Sequence, residues 1–422
     1  MKRKTALSGA VLIASVGLSA TFWLLKPASF NAAAPESGLA DFALSSSASA
    51  PAQAAADLGL PALPMPGVAR EAGVAGVGMV TVVAAAAAVP AAPAQAELGR
   101  KLFFDRRLSV NGTMSCAMCH VPEEGFTSNA SQLSLGLEGV SLRRNAPSLL
   151  NVAWQAHLFH DGRESLLPAL VWSPLLHSDE MGNPSPAHLL ARIRSWPDYA
   201  GRFEQAFAGA PPSKNTVSEA LAAYLRSLVA GNSRFDQWRY RNQRDALTAQ
   251  EQQGFGVFMG AGRCVACHSV ADKAALFADG QFHVTGAGFK PAKPAQGSFS
   301  VALAPGVFTT VNAEQMAAFA DPRGPDLGRF EITQKAADRF AFKTPSLRNV
   351  SRTAPYMHDG SLATLADVVA FYNRGGDDVP GRSALLIPLN LSADDQHALV
   401  AFLRALDSAS LPDLTAQARK PI

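Results

Sequence analysis

Apolar residues recur near i, i+3, i+4 and i+7 in five stretches, 186–194, 217–228, 249–259, 365–372 and 393–406, and each is expected to form an amphipathic helix. Ser392 followed by Asp395, ahead of Ala398-Leu399-Val400, reads as a helix start in which a hydroxyl and an acid cap the first turn. No long alternation of apolar and polar positions appears. Gly- and Pro-rich loops are therefore expected to dominate the rest, above all 286–306. At the amino end, Lys2-Arg3-Lys4 precedes an uncharged, largely apolar run over 6–25, the pattern of an export signal. That run is also long enough to span a bilayer, so 1–26 reads as a signal peptide or a retained membrane anchor. Residues 27–96 hold 25 alanines and 8 prolines with no periodic apolar face, and are expected to be a linker. Within them the uncharged stretch 72–89 is long enough for a second hydrophobic helix, but Ala and Gly insert weakly into lipid, so it is expected to be a poorly ordered or loosely packed segment.

Composition narrows this picture. Of 422 residues, 48% are apolar and 17% charged, so the chain can build sizeable cores. Its mean hydropathy of +0.07 excludes a polytopic membrane protein. Lys plus Arg is 37 against 34 for Asp plus Glu, which leaves no electrostatic footprint for nucleic acid.

The four cysteines fall in two copies of one pattern, Cys116-Ala117-Met118-Cys119-His120 and Cys264-Val265-Ala266-Cys267-His268. CxxCH is the attachment signature of a c-type haem: two thiols three positions apart meet the two vinyl groups, and the adjacent histidine reaches the iron. A zinc ribbon would place its knuckles roughly 15–20 residues apart, whereas 144 residues separate Cys119 from Cys264. A redox dithiol or a structural disulfide would leave both histidines unexplained. Two haems imply a mainly α protein with two cytochrome c-like domains in tandem, over 97–235 and 236–422. Haem is joined to thiols after export, so this part of the chain lies outside the cytoplasm.

Further motifs surround the haem signatures: Leu98-Gly99-Arg100-Lys101-Leu102-Phe103-Phe104-Asp105, Arg144-Asn145-Ala146-Pro147-Ser148, Phe159-His160-Asp161-Gly162-Arg163, Thr344-Pro345-Ser346-Leu347-Arg348-Asn349 and Ala354-Pro355-Tyr356-Met357-His358-Asp359-Gly360. In this set and order, over nearly all of 97–406, the chain resembles the bacterial di-haem cytochrome c peroxidase and MauG family. The resemblance implies hydrogen peroxide as substrate. It also implies either a small electron donor, a cytochrome c or a cupredoxin, or a protein partner whose side chains are oxidised. A di-haem electron carrier is the non-enzymatic alternative. A periplasmic location, with or without tethering to the inner membrane, follows from haem attachment after export and from the amino-terminal export pattern, and dimerisation is left open.

The resemblance also assigns residues. By position after the Phe-His-Asp-Gly-Arg motif, Glu180 is the acid that moves a proton between the peroxide oxygens. His120 and His268 are the proximal iron ligands. The sixth ligand of the second haem is Tyr372, by its place on the helix after the His-Asp-Gly turn, with Met357 as the alternative. Calcium between the domains would be held by Asn145, Thr353 and Pro355. Two departures stand out. The stretch 135–140 lacks the histidine that caps the first iron in many family peroxidases, which implies a first haem ready for peroxide. His160 stands where a tryptophan commonly separates the haems, leaving His160, Trp154 and Trp172 as candidate electron relays. His157, His177, His188, His283 and His397 are read as surface residues or neighbours of haem propionates.

Overall fold

A computed structural model describes residues 58–60, 92–289, 298–304, 307–312 and 326–421. The expected signal or anchor, the 72–89 run and most of the linker lie outside the described residues. Among the described residues no helix is long and apolar enough to cross a membrane.

The five expected helices are present, and their ends show what sets them. Helix α1, Pro93–Phe104, carries the Leu-Gly-Arg motif. Then follow α2, Pro186–Ser195, α3, Lys214–Ser227, and α4, Arg234–Tyr240. The second half contains α5, Ala249–Met259, α6, Leu365–Asn373, and α7, Ala393–Arg404, and α8, Leu411–Ala418, ends the fold. Helix α3 starts three residues before its apolar period does, because Ser213 and Thr216 cap each other's backbone reciprocally. Thr248 with Glu251 and Thr364 with Asp367 do the same for α5 and α6. The Ser392 hydroxyl accepts the Asp395 N–H at 3.1 Å, as its spacing implies.

The 286–306 region is not loop throughout. The run β2 (Ser298–Ala304) within it pairs antiparallel with β3 (Val307–Asn312) just beyond it, and β1 (Phe282–Val284) pairs antiparallel with β4 (Ala341–Lys343). β1 and β4, at three residues each, are too short to register as a period-2 pattern, whereas β2 and β3, at seven and six residues, are of ordinary strand length and are held by their pairing with each other.

Two cores form, one per haem signature. The first gathers Leu102, Phe103, Leu189, Phe203 and Leu221, and the second Phe235, Phe258, Phe277, Leu399 and Phe402. In each, an N-terminal helix crosses a C-terminal one with backbones in contact. A Cβ on Gly99 of α1 would lie 1.9 Å from the Ala220 carbonyl of α3, and a Cβ on Gly254 of α5 would lie 1.9 Å from the Ala398 carbonyl of α7. The crossing requires glycine at both places. Gly99→Ala and Gly254→Ala are each expected to cost about 1–3 kcal/mol of stability by overpacking, read as a lowered denaturation midpoint of the holoprotein.

The halves also repeat in sequence and conformation. Pro147-Ser148-Leu149-Leu150-Asn151-Val152 matches Pro345-Ser346-Leu347-Arg348-Asn349-Val350, with Asn151 and Asn349 both left-handed (φ 56° and 59°). Ser148 Oγ donates to the Gly125 carbonyl and Ser346 Oγ to the Leu276 carbonyl, at 2.6 and 2.7 Å. Phe159-His160-Asp161-Gly162 and Met357-His358-Asp359-Gly360 form matching turns, closed by the bridges Leu158–Glu164 and Tyr356–Leu362.

Helix α8 returns to the first core, where Leu411 and Ala418 are buried. Arg100 fastens it, donating to the carbonyls of Ala418, Lys420 and Pro421 at 3.2, 2.6 and 3.1 Å. Residues 58–60, within the stretch expected to be a linker, dock against both halves: Leu60 is 1% exposed and packs on Trp154.

Candidate functional site

Both haem signatures open on one cavity of about 690 Å³, with Cys119 and His120 on its lining at one end and Cys264, Cys267 and His268 at the other. The cysteines form no disulfide. Burial pushes the thiols of Cys116 and Cys264 up to about 12 and that of Cys119 up to about 11, so they are held neutral. The two histidines are held alike. His120 Nδ1 donates to the Phe126 carbonyl at 3.0 Å and His268 Nδ1 to the Phe277 carbonyl at 2.8 Å. That bond fixes the tautomer and leaves Nε2 as the ligand atom. Burial pushes His120 down to about 4 and His268 downward too, so both imidazoles are neutral, as an iron ligand must be.

The rest of the lining fits a haem pair. Leu149, Leu170, Leu347 and Val369 supply apolar walls. Lys343 is an interior cation whose Nζ reaches only the Thr344 carbonyl, at 3.4 Å, with no salt bridge among the described residues. Burial pushes it down to about 8. A buried ammonium of this kind suits a propionate carboxylate.

Glu180 lines the cavity near Cys119 and His120, and also a smaller space of about 80 Å³ that includes Cys116. It sits in a turn whose Glu180 and Gly182 N–H groups donate to the His177 carbonyl at 3.1 and 2.9 Å. Burial raises its carboxyl above the ordinary value, opposed by the charges of His177 and Arg163. The 135–140 stretch packs on this turn. Leu137 N–H donates to the Asp179 carbonyl at 2.8 Å, and a Cβ on Gly136 would lie 1.8 Å from that same oxygen.

Tyr372, on α6, and Met357, in the turn before His358, both line the second end of the cavity. Burial, then the fields of Cys267 and Cys264, hold the Tyr372 phenol well above its ordinary value. Met357 occupies the place that Phe159 has in the first half. Thus in each half the segment after the His-Asp-Gly turn brings ionisable side chains to the cavity, Glu180 with Arg163, His177 and Asp179 in the first and Tyr372 in the second.

The relay candidates separate. His160 lines the cavity and its Nε2 donates to the Asn145 carbonyl at 2.9 Å. Burial pushes it down to about 3, so it is neutral. Trp154 is buried beside Leu60, and Trp172 lies in the first core with its Nε1–H donating to Ser218 Oγ at 2.6 Å. Neither is on the cavity lining. Asn145, Thr353 and Pro355 all are. Asn145 Nδ2 donates to the Gln132 carbonyl at 3.0 Å, which leaves Oδ1 without a hydrogen-bond donor among the described residues. That oxygen suits a hard cation.

Sequence reading missed the ionic seam beside His160. Arg144 donates to Asp161 Oδ2 at 2.5 Å and to both oxygens of Asp326 at 2.6 and 2.8 Å, and Arg163 also pairs with Asp161. Arg144 and Asp161 lie in motifs already noted, but nothing local marks Asp326. His358 stacks on Phe342 at 3.6 Å, and its carbonyl accepts the Asn145 N–H at 2.8 Å. His283 is more than a surface residue: its Nε2 meets Asp279 at 2.7 Å, close to Cys267.

Comparison with known proteins agrees with this arrangement. Residues 93–245 match the family described as di-haem cytochrome c peroxidase. The methylamine utilization protein MauG of Methylorubrum extorquens is 35% identical over 312 residues, covering 73% of this chain and 77% of that protein. The cytochrome-c peroxidase IdrP2 of Denitromonas iodatirespirans is 37% identical over 317 residues, covering 75% and 82%. Among solved structures, a MauG-like protein associated with microbial copper homeostasis superposes with a TM-score of 0.63 at 32% identity, covering 76% of this chain and 91% of that one. The diheme peroxidase BthA of Burkholderia thailandensis gives 0.62 at 30% identity, covering 77% and 88%. Likeness of this extent spans both haem signatures and the cavity they share, so the chain belongs to the di-haem cytochrome c peroxidase and MauG family and is an oxidoreductase carrying two covalently bound haems c.

Proposed function

We propose that this protein reduces hydrogen peroxide to water at its first haem, in the periplasm, using electrons that a small cytochrome c or cupredoxin delivers through the second. The carrying observation is the half-buried carboxyl of Glu180, which lines the cavity beside Cys119 and His120. The two haems, held through Cys116, Cys119 and His120 and through Cys264, Cys267 and His268, would supply the two electrons needed to split the O–O bond. Two protons from solvent complete the conversion of one peroxide into two waters. Glu180 takes the proton from one peroxide oxygen and returns it to the departing one, which leaves as water. The Arg163 guanidinium, near Glu180 and paired with Asp161, opposes the effect of burial and keeps the carboxyl able to accept. His160, pinned to the Asn145 carbonyl, occupies the seam between the halves and is the relay candidate that reaches the cavity.

Tyr372 favours a second reading, MauG-like oxidation of a protein partner. A phenolate is a hard anionic donor that stabilises oxidised iron, and so suits a haem that stores an oxidising equivalent. Steady-state peroxide consumption by the holoprotein with reduced cytochrome c separates the readings. Turnover that tracks cytochrome oxidation is expected; slow turnover together with a mass change in a co-purifying protein would replace the first reading by the second.

Calcium held by Asn145 Oδ1 and the carbonyls of Thr353 and Pro355 would stiffen the seam beside His160. Removing it with a chelator is expected to slow electron transfer between the haems, with recovery on adding calcium back. Equal rates before and after, in protein shown by elemental analysis to have lost the metal, would exclude this role.

A further inference from the structure

We propose that the short segment Leu58-Gly59-Leu60 is a clasp that positions the proximal side of the second haem, and of that haem only. It rests on family membership and on backbone geometry, and is independent of the roles of Glu180 and Tyr372.

The segment is built into the seam. The Leu58 carbonyl accepts the Asn232 N–H at 2.9 Å. A Cβ on Gly231 would lie 2.3 Å from that carbonyl, so the approach needs a glycine opposite. Gly59 itself has φ +70°, and a Cβ there would lie 2.4 Å from Asp236 Oδ1. Leu60 fills an apolar slot with Trp154 from the first half and Leu276 beside it from the second.

From Gly59 the contacts run to the second haem ligand. The Gly59 carbonyl accepts the Ala275 N–H at 3.3 Å and Arg348 Nη2–H at 2.6 Å. Arg348 also donates through Nε to the Ala275 carbonyl at 2.7 Å, and through Nη1 and Nη2 to Asp236 at 2.8 and 2.9 Å. Ala275 is therefore held on both its N–H and its carbonyl. Two residues further on, the Phe277 carbonyl accepts from His268 Nδ1. The side chains of Arg348 and Asp236 are 2% and 0% exposed, so a lost acceptor there is not replaced by water.

The repeat supplies a control within the molecule. In the first half, Leu150 stands where Arg348 stands in the second, and Phe126 holds His120 in a shorter loop with no clasp against it among the described residues. A hydrogen bond to the far ring nitrogen raises the basicity of a metal-ligating histidine. Releasing the clasp loosens the Phe277–His268 bond, makes the imidazole a poorer donor, and so favours ferrous iron at the second haem alone.

The test is a spectroscopic redox titration of full-length holoprotein with Leu60→Asp, which places a charge in the apolar slot, and with the milder Leu60→Ala should the first fail to load haem. The midpoint potential of the second haem is expected to rise, with a changed low-spin spectrum, while the first haem titrates as before. An unmoved second haem in the variant obtained overturns the proposal. Equal shifts at both haems overturn it too, since they mark a general loosening of the fold.

Discussion

Replacing Glu180 by glutamine is expected to lower peroxide turnover by roughly 10²–10⁴-fold, the range of general acid–base assistance. Both haems should remain attached with their spectra intact. Glutamine keeps the size and the hydrogen-bonding ends of the side chain, so what is lost is its capacity to take and return a proton. The pH profile adds a sign. Burial raises the Glu180 carboxyl above its ordinary value. A group that must first accept a proton works when ionised, so wild-type turnover should fall as pH drops through that raised value. In Glu180→Gln this acid limb should vanish along with the fast rate. Steady-state assays across pH read both effects. Unchanged turnover, or a retained acid limb, would move the proton role to another residue.

Tyr372→Phe is expected to abolish the low-spin signal of a six-coordinate second haem and to raise that haem's potential. The phenol is the ionisable group that α6 brings to the cavity, beside its apolar Leu365, Val368 and Val369 and within the fields of Cys267 and Cys264. Burial disfavours the free phenolate, so ionisation requires a compensating positive charge at the hydroxyl, which a ferric haem iron would supply. Met357 is the competitor on the same lining. A thioether would favour ferrous iron, so the two assignments differ in the direction of the potential as well as in spectrum. If Met357→Ala removes the signal while Tyr372→Phe leaves it unchanged, the tyrosine assignment fails, and with it the strongest support for MauG-like oxidation of a protein partner.

The repeat shows how one architecture serves two tasks. Both halves share the crossed helices, the serine that ties its loop, the left-handed asparagine and the proximal histidine bonded to a phenylalanine carbonyl. They differ on the open side, where the first presents a carboxyl and the second a phenol. On the proposed reading the carboxyl would move protons and the phenol would hold charge on the iron, and the difference between the haems would lie in a few residues grafted on a common frame.

Much of this was legible in the sequence, because the determinants are local. Two CxxCH signatures specify covalent haem attachment within five residues each, and the helices were readable from a repeat of 3.6 and from caps spaced three residues apart. Resemblance of the flanking motifs led to Glu180 and Tyr372, and the structure places both on the shared cavity. Contacts between distant residues were decided only by the tertiary structure. Arg348 meets Asp236 across 112 positions and Gly59 across 289. Arg100 fastens a helix at the opposite end of the chain, and His160, rather than either tryptophan, reaches the cavity. Such contacts depend on the path of the whole backbone, and neither partner carries a signal of the other. A Leu-Gly-Leu amid alanines and prolines reads as linker until the two halves close around it, because burial belongs to the assembled surfaces and not to the segment.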